Sequence, residues 1–418
     1  MKKLLLIVLS LPALLKAQQP LSLAKAYELA QQNYPLIKQR ELLKQTTNIN
    51  IDNLSKGFLP QFSISAQATY QSQVTKIDVP IPGVNISSPS KDQYKVLADV
   101  NQLVYDGGVT KEQKNLQHLN EDAEQQKVEV ELYKLKERIN QLFLSVLYFD
   151  EQLKQAGLVK TDLENGIKKT EAQLANGTAF RSSVNVLKAE LLKNDQRAIE
   201  IKASRKGLTD VLGLFINQTL PEDAQLEKPV APGGMTSDID RPELKLYSTQ
   251  EKLLGGQYKL IDSKNKPKAS LFAQGGYGRP GLNFLDNDFS FFYTTGVRLN
   301  WNFGGLYTQK KEKQLIDINK KSIGIQKETF LLNTNTALKQ QESEVSKLQQ
   351  LIAKDNEIIA LRLSVKEAAK AQLENGVITA NDYLREVNAE DQSRQSLITH
   401  QVQLLQAQIN YQNISGKQ

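Results

Sequence analysis

Polar and apolar residues alternate with a period of two in four short segments of the chain, which lie in two pairs. The first pair covers residues 61–75 and 93–105, and the second covers 269–278 and 289–303. Such alternation places the apolar side chains on one face of a strand and the polar side chains on the other. The sequence therefore predicts four amphipathic strands, each with one apolar and one wet face.

A long segment without proline follows each pair of strands, at 109–175 and 306–374. A continuous helix over either segment would be about 100 Å long at a rise of ~1.5 Å per residue, and such a helix needs a packing partner. Heptad spacing indicates that partner. In the first segment the seam consists of Val128, Leu132, Leu135, Ile139, Leu142, Val146, Phe149 and Leu153. In the second, apolar residues recur at every seventh position, at Leu331, Leu338, Val345, Ile352 and Ile359.

A sharp turn at an Asn-Gly pair ends each long helix, and we expect a helix to return from each turn, over 182–217 and 380–413. Glycine adopts the left-handed conformation of a helix C-terminus without strain. Along the first return helix, Asn194 and Arg205 interrupt the apolar positions. Each return helix is predicted to pack on the long helix before it.

These elements occur twice in the same order because the sequence contains an internal repeat. Matching positions include Pro35 and Pro242, Pro60 and Pro267, Val104–Gly108 and Trp301–Gly305, and Ala172–Gly177 and Ala371–Gly376. We therefore predict a first repeat over 18–219, an extended linker rich in Pro and Gly over 220–240, and a second repeat over 241–418. Around Ala179–Phe180 the first turn is expected to be one residue longer than the second.

The N-terminal segment has the features of a secretory signal peptide. Lys2 and Lys3 precede the apolar run Leu4–Leu15, and with cleavage after Ala17 we expect residues 1–17 to be removed. No later segment reaches the ~18 consecutive apolar residues of a membrane-spanning helix, so any insertion into a membrane must use the strands. The chain has no cysteine, which excludes disulfides and thiolate metal sites. Its net charge of +7 falls to +4 once Lys2, Lys3 and Lys16 are removed with the signal peptide, and such a charge does not indicate a nucleic-acid partner.

No group of side chains in the sequence predicts catalysis. Gly276–Gly281 matches the G-x-G-x-x-G pattern of dinucleotide sites, but it leads into another strand, whereas phosphate binding needs a helix N-terminus. His118 and His400 lie on different predicted helices with no second imidazole or cysteine near them in sequence, so we expect both to face solvent. The chain is therefore predicted not to be an enzyme and to hold no cofactor or metal.

The order of these motifs resembles the TolC-like outer membrane factors, the outer membrane efflux proteins of bacterial export systems. The resemblance covers essentially the whole mature chain and rests on the two Asn-Gly turns, Leu103–Gly108, its second copy Leu299–Gly305, and the opening segment Leu21–Pro35. It implies a mainly α fold with a membrane β-barrel: a trimer with one twelve-stranded barrel and a helical tunnel across the periplasm. Four strands per chain leave open edges, which are not viable in lipid, so the strand count agrees with a trimer.

In that family, the turns at the inner end of the tunnel contact a periplasmic adaptor protein. By match, the contact residues in this chain are Asn176, Gly177, Thr178, Asn375, Gly376, Val377 and Thr379. The alternative is that each Asn-Gly pair serves only as the cap that any helix end requires.

The resemblance also implies a ring of acidic residues that narrows the tunnel just after the second turn. Asp382 matches one acidic position and Arg385 stands where a second acid is expected, so we predict a constriction with a mild cation preference. The alternative is that Asp382 only stabilises the first turn of its helix through the helix dipole. Trp301 is predicted to lie in an aromatic belt at the membrane interface, with ordinary strand propensity as the alternative.

The resemblance thus implies a passive conduit in the outer membrane of a Gram-negative bacterium, which exports small molecules or proteins. Its expected partners are two further copies of the chain, outer-membrane lipid, a periplasmic adaptor, and an inner-membrane transporter of the RND or ABC type; docking opens it. A periplasmic adaptor and a coiled-coil protein of the cell surface are the alternatives. An adaptor would have one hairpin flanked by small β domains, and a surface coiled coil would lack paired amphipathic strands.

Overall fold

The computed structural model describes residues 20–76, 88–231, 234 and 238–417. The predicted signal peptide, residues 1–17, lies outside the described residues, as do residues 232, 233 and 235–237 of the predicted linker.

The described part of the chain is mainly helical, with one small antiparallel sheet, as the sequence predicted. The helices are α1 (Leu23–Asn33), α2 (Gln39–Lys56), α3 (Val109–Ala175), α4 (Arg181–Ile216), α5 (Pro242–Lys264), α6 (Gly304–Glu374) and α7 (Ala380–Ser415), with a 3-10 turn at Pro35–Lys38. The strands are β1 (Gln61–Tyr70), β2 (Asp92–Tyr105), β3 (Lys268–Arg279) and β4 (Ser290–Asn300). Over the described residues, no helix combines the length and the apolar character needed to cross a membrane.

The four strands form one antiparallel sheet in the order β1-β2-β3-β4, so β1 and β4 are its edges. Its register places apolar residues opposite one another. Phe62 faces Val100, and further pairs on the same face are Val96 with Tyr277 and Leu271 with Val297. The predicted alternation is therefore present as one continuous apolar face, which nothing covers within the described part of a single chain.

The chain forms two compact units, and neither unit corresponds to one sequence repeat. One unit contains α1, the 3-10 turn as far as Ile37, α4, α7, and the parts of α3 and α6 from residues 129 and 330 onward. The other contains the sheet, α2, nearly all of α5, and the first parts of α3 and α6. The unit with the sheet draws on both repeats because β2 of the first repeat pairs with β3 of the second. The helical unit does so because α3 and α4 of the first repeat pack with α6 and α7 of the second.

In the unit that contains the sheet, the double glycines mark the start of the long helices for a steric reason. The Asp106 carboxylate accepts a hydrogen bond from the backbone N–H of Thr110 at 2.6 Å, which caps α3. Gly107 has a φ of +79°, and a Cβ there would come within 2.8 Å of the carbonyl oxygen of Ser263. Only glycine fits such a site. In the second repeat Phe303 matches Asp106, and the residue before it, Asn302, accepts a hydrogen bond from the backbone N–H of Gly304 at 2.8 Å.

In the helical unit, two polar residues interrupt the apolar seam of α4, and each has a structural task. Arg205 is buried, pairs with Asp150 at 2.5 Å, and donates to the backbone carbonyls of Glu222 and Ala224 at 2.5 and 2.6 Å. These bonds fix the first part of the linker to α3 and α4. Asn194 is also buried and donates to a backbone carbonyl of α3 at 3.0 Å.

Candidate functional site

The two turns that join α3 to α4 and α6 to α7, here named the first tip and the second tip, have the same backbone conformation. Gly177 and Gly376 have φ values of +73° and +71°. The N–H groups of Thr178 and Val377 each donate to the carbonyl five residues earlier at 2.8 Å. This is the hydrogen-bond pattern of a Schellman helix end, which requires a left-handed residue.

The two tips also have the same length. Residues 176–180 connect the first pair of helices and residues 375–379 connect the second, so the expectation of an extra residue in the first tip is wrong. Phe180 stands at the N-cap of α4 and makes no side-chain cap hydrogen bond. A polar residue is usual at that position, so the sequence pattern did not reveal where α4 begins.

The second tip carries the polar cap that the first tip lacks. Thr379 accepts a hydrogen bond from the backbone N–H of Asp382 at 3.3 Å, and the Asp382 carboxylate accepts one from the backbone N–H of Thr379 at 3.1 Å. The two side chains also bond directly at 2.7 Å. The hydrogen bonds from Thr379 lower the pKa of Asp382 below its usual value. Together these contacts form a capping box.

Arg385 makes only a loose contact with Asp382. Its Nη1 lies 4.0 Å from Asp382 Oδ1, while its Nε lies 3.1 Å from Glu386 Oε1. Within the single chain, the close contacts of Asp382 are those with Thr379, which cap the first turn of α7. The Arg385 side chain is mostly exposed.

Beneath the tips, the ends of α3, α4, α6 and α7 enclose a common apolar core. Its buried members are Val159, Leu163, Ile167, Leu187, Ala369, Leu373, Ala380, Tyr383, Leu384 and Val387, and Ile378 packs against them. Tyr383 is the largest, and it lies close to Gly166, where a Cβ would come within 3.2 Å of the ring. Gln173 joins the tips directly, because its side-chain amide donates to the carbonyl of Leu373 at 2.7 Å. The tips are therefore held together as one surface.

A buried ionic group ties the second tip's helices to α3. Lys366 is 7% exposed, and its Nζ lies 2.8 Å from Asp162 Oδ2 and 3.4 Å from Glu390 Oε2. Burial alone would lower the pKa of Lys366, but the hydrogen bonds and charges of Asp162 and Glu390 raise it above the usual value. Arg394 adds an ion pair to Glu390.

A second polar group ties α4 and α7 to α3. Arg197 pairs with Asp391 at 3.0 Å and donates to Gln152 at 2.6 Å. Gln155 donates to the same carboxylate at 2.9 Å. The sequence did not predict this group or the Lys366 group, although Lys366 lies seven residues after Ile359 and so falls on the heptad seam. A charged residue at a seam position is the signal that could have revealed it.

All seven predicted adaptor-contact residues lie on the exposed surface of the two tips. They are Asn176, Gly177, Thr178, Asn375, Gly376, Val377 and Thr379. The tips also expose Phe180, which the sequence patterns did not indicate as a functional residue.

Trp301 lies directly after β4, in the unit that contains the sheet. Its indole N–H donates to the carbonyl of Asn265 at 3.0 Å, and its ring contacts that of Phe303 in a tilted arrangement with centroids 4.6 Å apart. The side chain is half exposed. An amphipathic aromatic with one bonded polar end suits a membrane interface.

The histidines differ from each other. His118 is exposed, as predicted, but His400 is partly buried and its Nδ1 lies 2.6 Å from Asp355 Oδ2. The expectation that His400 faces solvent is therefore wrong, because a carboxylate on the neighbouring helix α6 holds it in the interface. Within the described residues, no cluster of His, Asp or Glu could hold a metal ion.

Comparison with known proteins agrees with this geometry. The sequence model of the family described as outer membrane efflux protein matches residues 26–215. No curated protein sequence matches the chain. The resemblance drawn from the sequence motifs is thereby confirmed over the first repeat.

The fold is similar to those of solved outer-membrane proteins over nearly its whole length. The outer membrane protein VceC from Vibrio cholerae has a TM-score of 0.66 at 14% identity, covering 94% of this chain and 96% of that one. CusC has a TM-score of 0.67 at 13% identity, with coverages of 95% and 92%. The outer-membrane channel OprN has a TM-score of 0.67 at 12% identity, with coverages of 95% and 90%.

Proposed function

We propose that this chain, whose first repeat matches the outer membrane efflux protein family, is the outer-membrane channel of a bacterial export system. It is a passive conduit for small molecules or proteins, and it extends from the outer membrane of a Gram-negative cell into the periplasm. One observation carries the proposal: the sheet has a continuous exposed apolar face and two open edges, at β1 and β4. Lipid can cover the face, but only further strands can satisfy the edges.

Three copies provide those strands. Because each copy has an even number of antiparallel strands, β4 of one copy meets β1 of the next in the same antiparallel sense, and three sheets close into twelve strands. The polar face then lines the pore. There, Gln274 donates to Asp99 at 2.5 Å and Arg298 lies over the ring of Phe272.

Aromatic side chains at both ends of the sheet support a membrane span. Tyr94, Tyr277, Phe289 and Phe291 form one contact group at the loop end. Trp301 and Phe303 are in contact at the helix end. From Phe291 to Trp301 a strand rises about 33 Å at ~3.3 Å per residue, which a tilt of about 40° reduces to about 25 Å. That height matches the apolar band between the two aromatic girdles of outer-membrane barrels.

Cysteine cross-linking can test the closure, because the natural chain has no cysteine. Ile64→Cys on β1 is combined in turn with Tyr293→Cys, Thr295→Cys or Val297→Cys on β4, which all lie on the apolar face. We expect at least one pair to give a covalent trimer after oxidation in outer membranes. The matched control is Ile64→Cys with Ala98→Cys, which are partners within one chain and should link without forming oligomers.

The proposal would be contradicted if the protein were a soluble monomer. It would also be contradicted if the protein were present in the membranes but none of the β1–β4 cysteine pairs formed a cross-link. Such a result would favour a periplasmic adaptor or a surface coiled coil over a channel.

The channel would work with a periplasmic adaptor and an inner-membrane transporter of the RND or ABC type, which supply the energy. We assign the adaptor contact to both tips, at Asn176, Gly177, Thr178, Asn375, Gly376, Val377 and Thr379. Their exposure at the ends of rigid hairpins supports this role. Docking there would open the channel by moving the helix ends.

We further assign the constriction to Asp382 and Arg385, which follow the second tip. Three copies of each around the axis would give acids partly neutralised by arginines. In planar bilayers, Arg385→Asp should raise cation selectivity and introduce block by divalent cations, whereas Asp382→Asn should weaken the cation preference. Unchanged selectivity in both variants would remove these residues from the narrowest part of the channel.

A further inference from the structure

The first tip exposes an aromatic side chain at a position where a polar cap belongs. Phe180 is 81% exposed and stands at the N-cap of α4 without a cap hydrogen bond. Its counterpart Thr379 completes a capping box. A phenylalanine at an N-cap leaves backbone donors of α4 without a side-chain acceptor, and its exposed ring gains nothing from burial. In the free chain, therefore, Phe180 stabilises neither the helix nor the core.

The residue after Phe180 is an exposed cation. Arg181 makes no ion pair with any of the described residues, whereas the acidic side chains closest to the tips along the chain are paired. Glu171 is paired with Lys188 at 2.7 Å and Glu374 with Lys169 at 3.6 Å. The first tip thus presents an apolar ring beside a free guanidinium. Phenylalanine and arginine are both enriched in protein interfaces relative to the rest of the surface, and arginine is also enriched among the residues that carry most of the binding energy.

We propose that Phe180 and Arg181 form an anchor for the periplasmic protein that docks on the tips, with Phe180 entering an apolar pocket and Arg181 pairing with a carboxylate at the rim of that pocket. The proposal rests on the proposed function, since it takes the tips to be the docking surface. It assigns specificity mainly to the first tip, because Thr379 at the matching place of the second tip is engaged with Asp382 within its own chain. The partner is identified by this chemistry: an apolar cavity bordered by an acidic residue.

Phe180→Ser is the decisive variant because it separates docking from stability. Serine is a favoured N-cap residue, so the variant should unfold at the same or a higher temperature than the natural protein and should still form trimers. Binding of a purified periplasmic adaptor protein from the same organism, measured with the detergent-solubilised full-length trimer, should weaken at least tenfold. The matched control is Leu214→Ser on the same helix, since Leu214 is equally exposed at 82% and lies at the other end of α4. Its adaptor affinity should stay within twofold of the natural value.

The role of Arg181 can be tested by measuring adaptor affinity at different salt concentrations. The affinity of the natural trimer for the adaptor should fall as ionic strength rises, because an exposed ion pair is screened. Arg181→Ala should weaken binding about threefold to tenfold at low salt and flatten that dependence. Arg181→Glu should weaken binding further, because it places like charges together.

Full adaptor affinity in Phe180→Ser would overturn the anchor, while a trimer that still binds adaptor would leave the proposed function intact. Loss of the trimer in Phe180→Ser would also overturn the anchor, because Phe180 would then contact a second copy of this chain and not the adaptor. Failure of the natural trimer to bind the adaptor at all would overturn the anchor together with the adaptor part of the proposed function.

Discussion

The two tips have one backbone and two different surfaces. Both end a long helix with Asn-Gly in the same Schellman pattern. After the glycine they diverge: in the second tip Ile378 packs on the core and Thr379 caps α7, whereas the first tip has Phe180 exposed and uncapped. The shared part is what a sharp helix reversal requires. The part that differs is not needed for the turn, so it is free to serve recognition.

The two tips also differ in the buried polar groups that hold their helices to α3. The helices of the second tip are tied to α3 by Lys366, which contacts Asp162 and Glu390. The helix that follows the first tip is tied through Arg197 and Asp391. Because Asp391 also lies on α7, both polar groups converge on that helix. Movement of α7 would therefore disturb both groups at once.

The largest expected effect is on the Lys366 group. Lys366→Met should destabilise the helical unit by about 3 kcal/mol, because it leaves buried Glu390 without one of its two cationic partners. Lys347→Met is the matched control on the same helix, where Lys347 forms an exposed pair with Glu344, and it should cost less than about 0.5 kcal/mol. Thermal unfolding followed by helical circular dichroism measures both. Equal small effects would mean that Lys366 does not hold α6 and α7 to α3.

Because the two tips share one backbone conformation, substitution of either glycine should reduce stability by the same amount. Gly177→Val and Gly376→Val should each destabilise the protein by about 2 kcal/mol, because a β-branched residue resists the left-handed conformation. No atom crowds either position, so strain of the backbone is the only cause. Gly207→Ala, at an exposed position within α4, is the control and should stabilise the protein by about 0.5 kcal/mol. A large cost at one tip alone would break the equivalence of the turns.

The different caps of the two tips predict unequal losses of stability at Phe180 and Thr379, three residues after each glycine. Thr379→Ala should lose about 1 kcal/mol of stability, because it removes the capping hydrogen bonds. Phe180→Ala at the matching place should change stability by less than about 0.3 kcal/mol, because no cap bond exists there to lose. Urea unfolding of the two variants side by side provides the comparison. A comparable loss in both would mean that Phe180 supports α4 in a way that its exposure does not reveal.

The smallest effect concerns pH. The pKa of Asp382 is lowered in the folded chain, so its contribution to stability is present above the unfolded value of about 3.9 and is lost as the pH falls through the folded pKa. The stability difference between the natural protein and Asp382→Asn should therefore be constant from pH 5 to 8 and disappear on acidification. Melting temperatures of the two proteins, measured from pH 8 down into the acid region, test this expectation. A difference that persists below the folded pKa would exclude the charged capping box as its cause.

Local rules predicted the elements of the fold well. Alternation located the strands, although it extended the first five residues beyond Tyr70 and the fourth three residues beyond Asn300. The Asn-Gly pairs marked the ends of the long helices, because such signals act over a few residues. The start of α4 was misjudged by one residue, since Phe180 is not a usual cap. No local rule could indicate that β2 pairs with β3.

For the candidate site, sequence matching gave the exposed tip residues but not their support. Lys366 and Asp162 are far apart along the chain, as are His400 and Asp355, and a single sequence gives no measure of which distant charges meet. The sequence does not single out Phe180 for a different reason. An exposed aromatic and a buried one look alike in sequence, and only the packing of the tip core distinguishes them.

The pairing of β2 with β3 has a consequence for biosynthesis. When the ribosome has completed the first repeat, β2 has one edge free, and its partner strand begins only at Lys268, after the whole of α3, α4, the linker and α5. Pairing over such a separation is slow, and an open edge invites association with other chains in the meantime. The nascent protein thus depends on being kept from folding until its second half arrives. For the same reason, two fragments divided in the linker should yield folded protein only when they are expressed together.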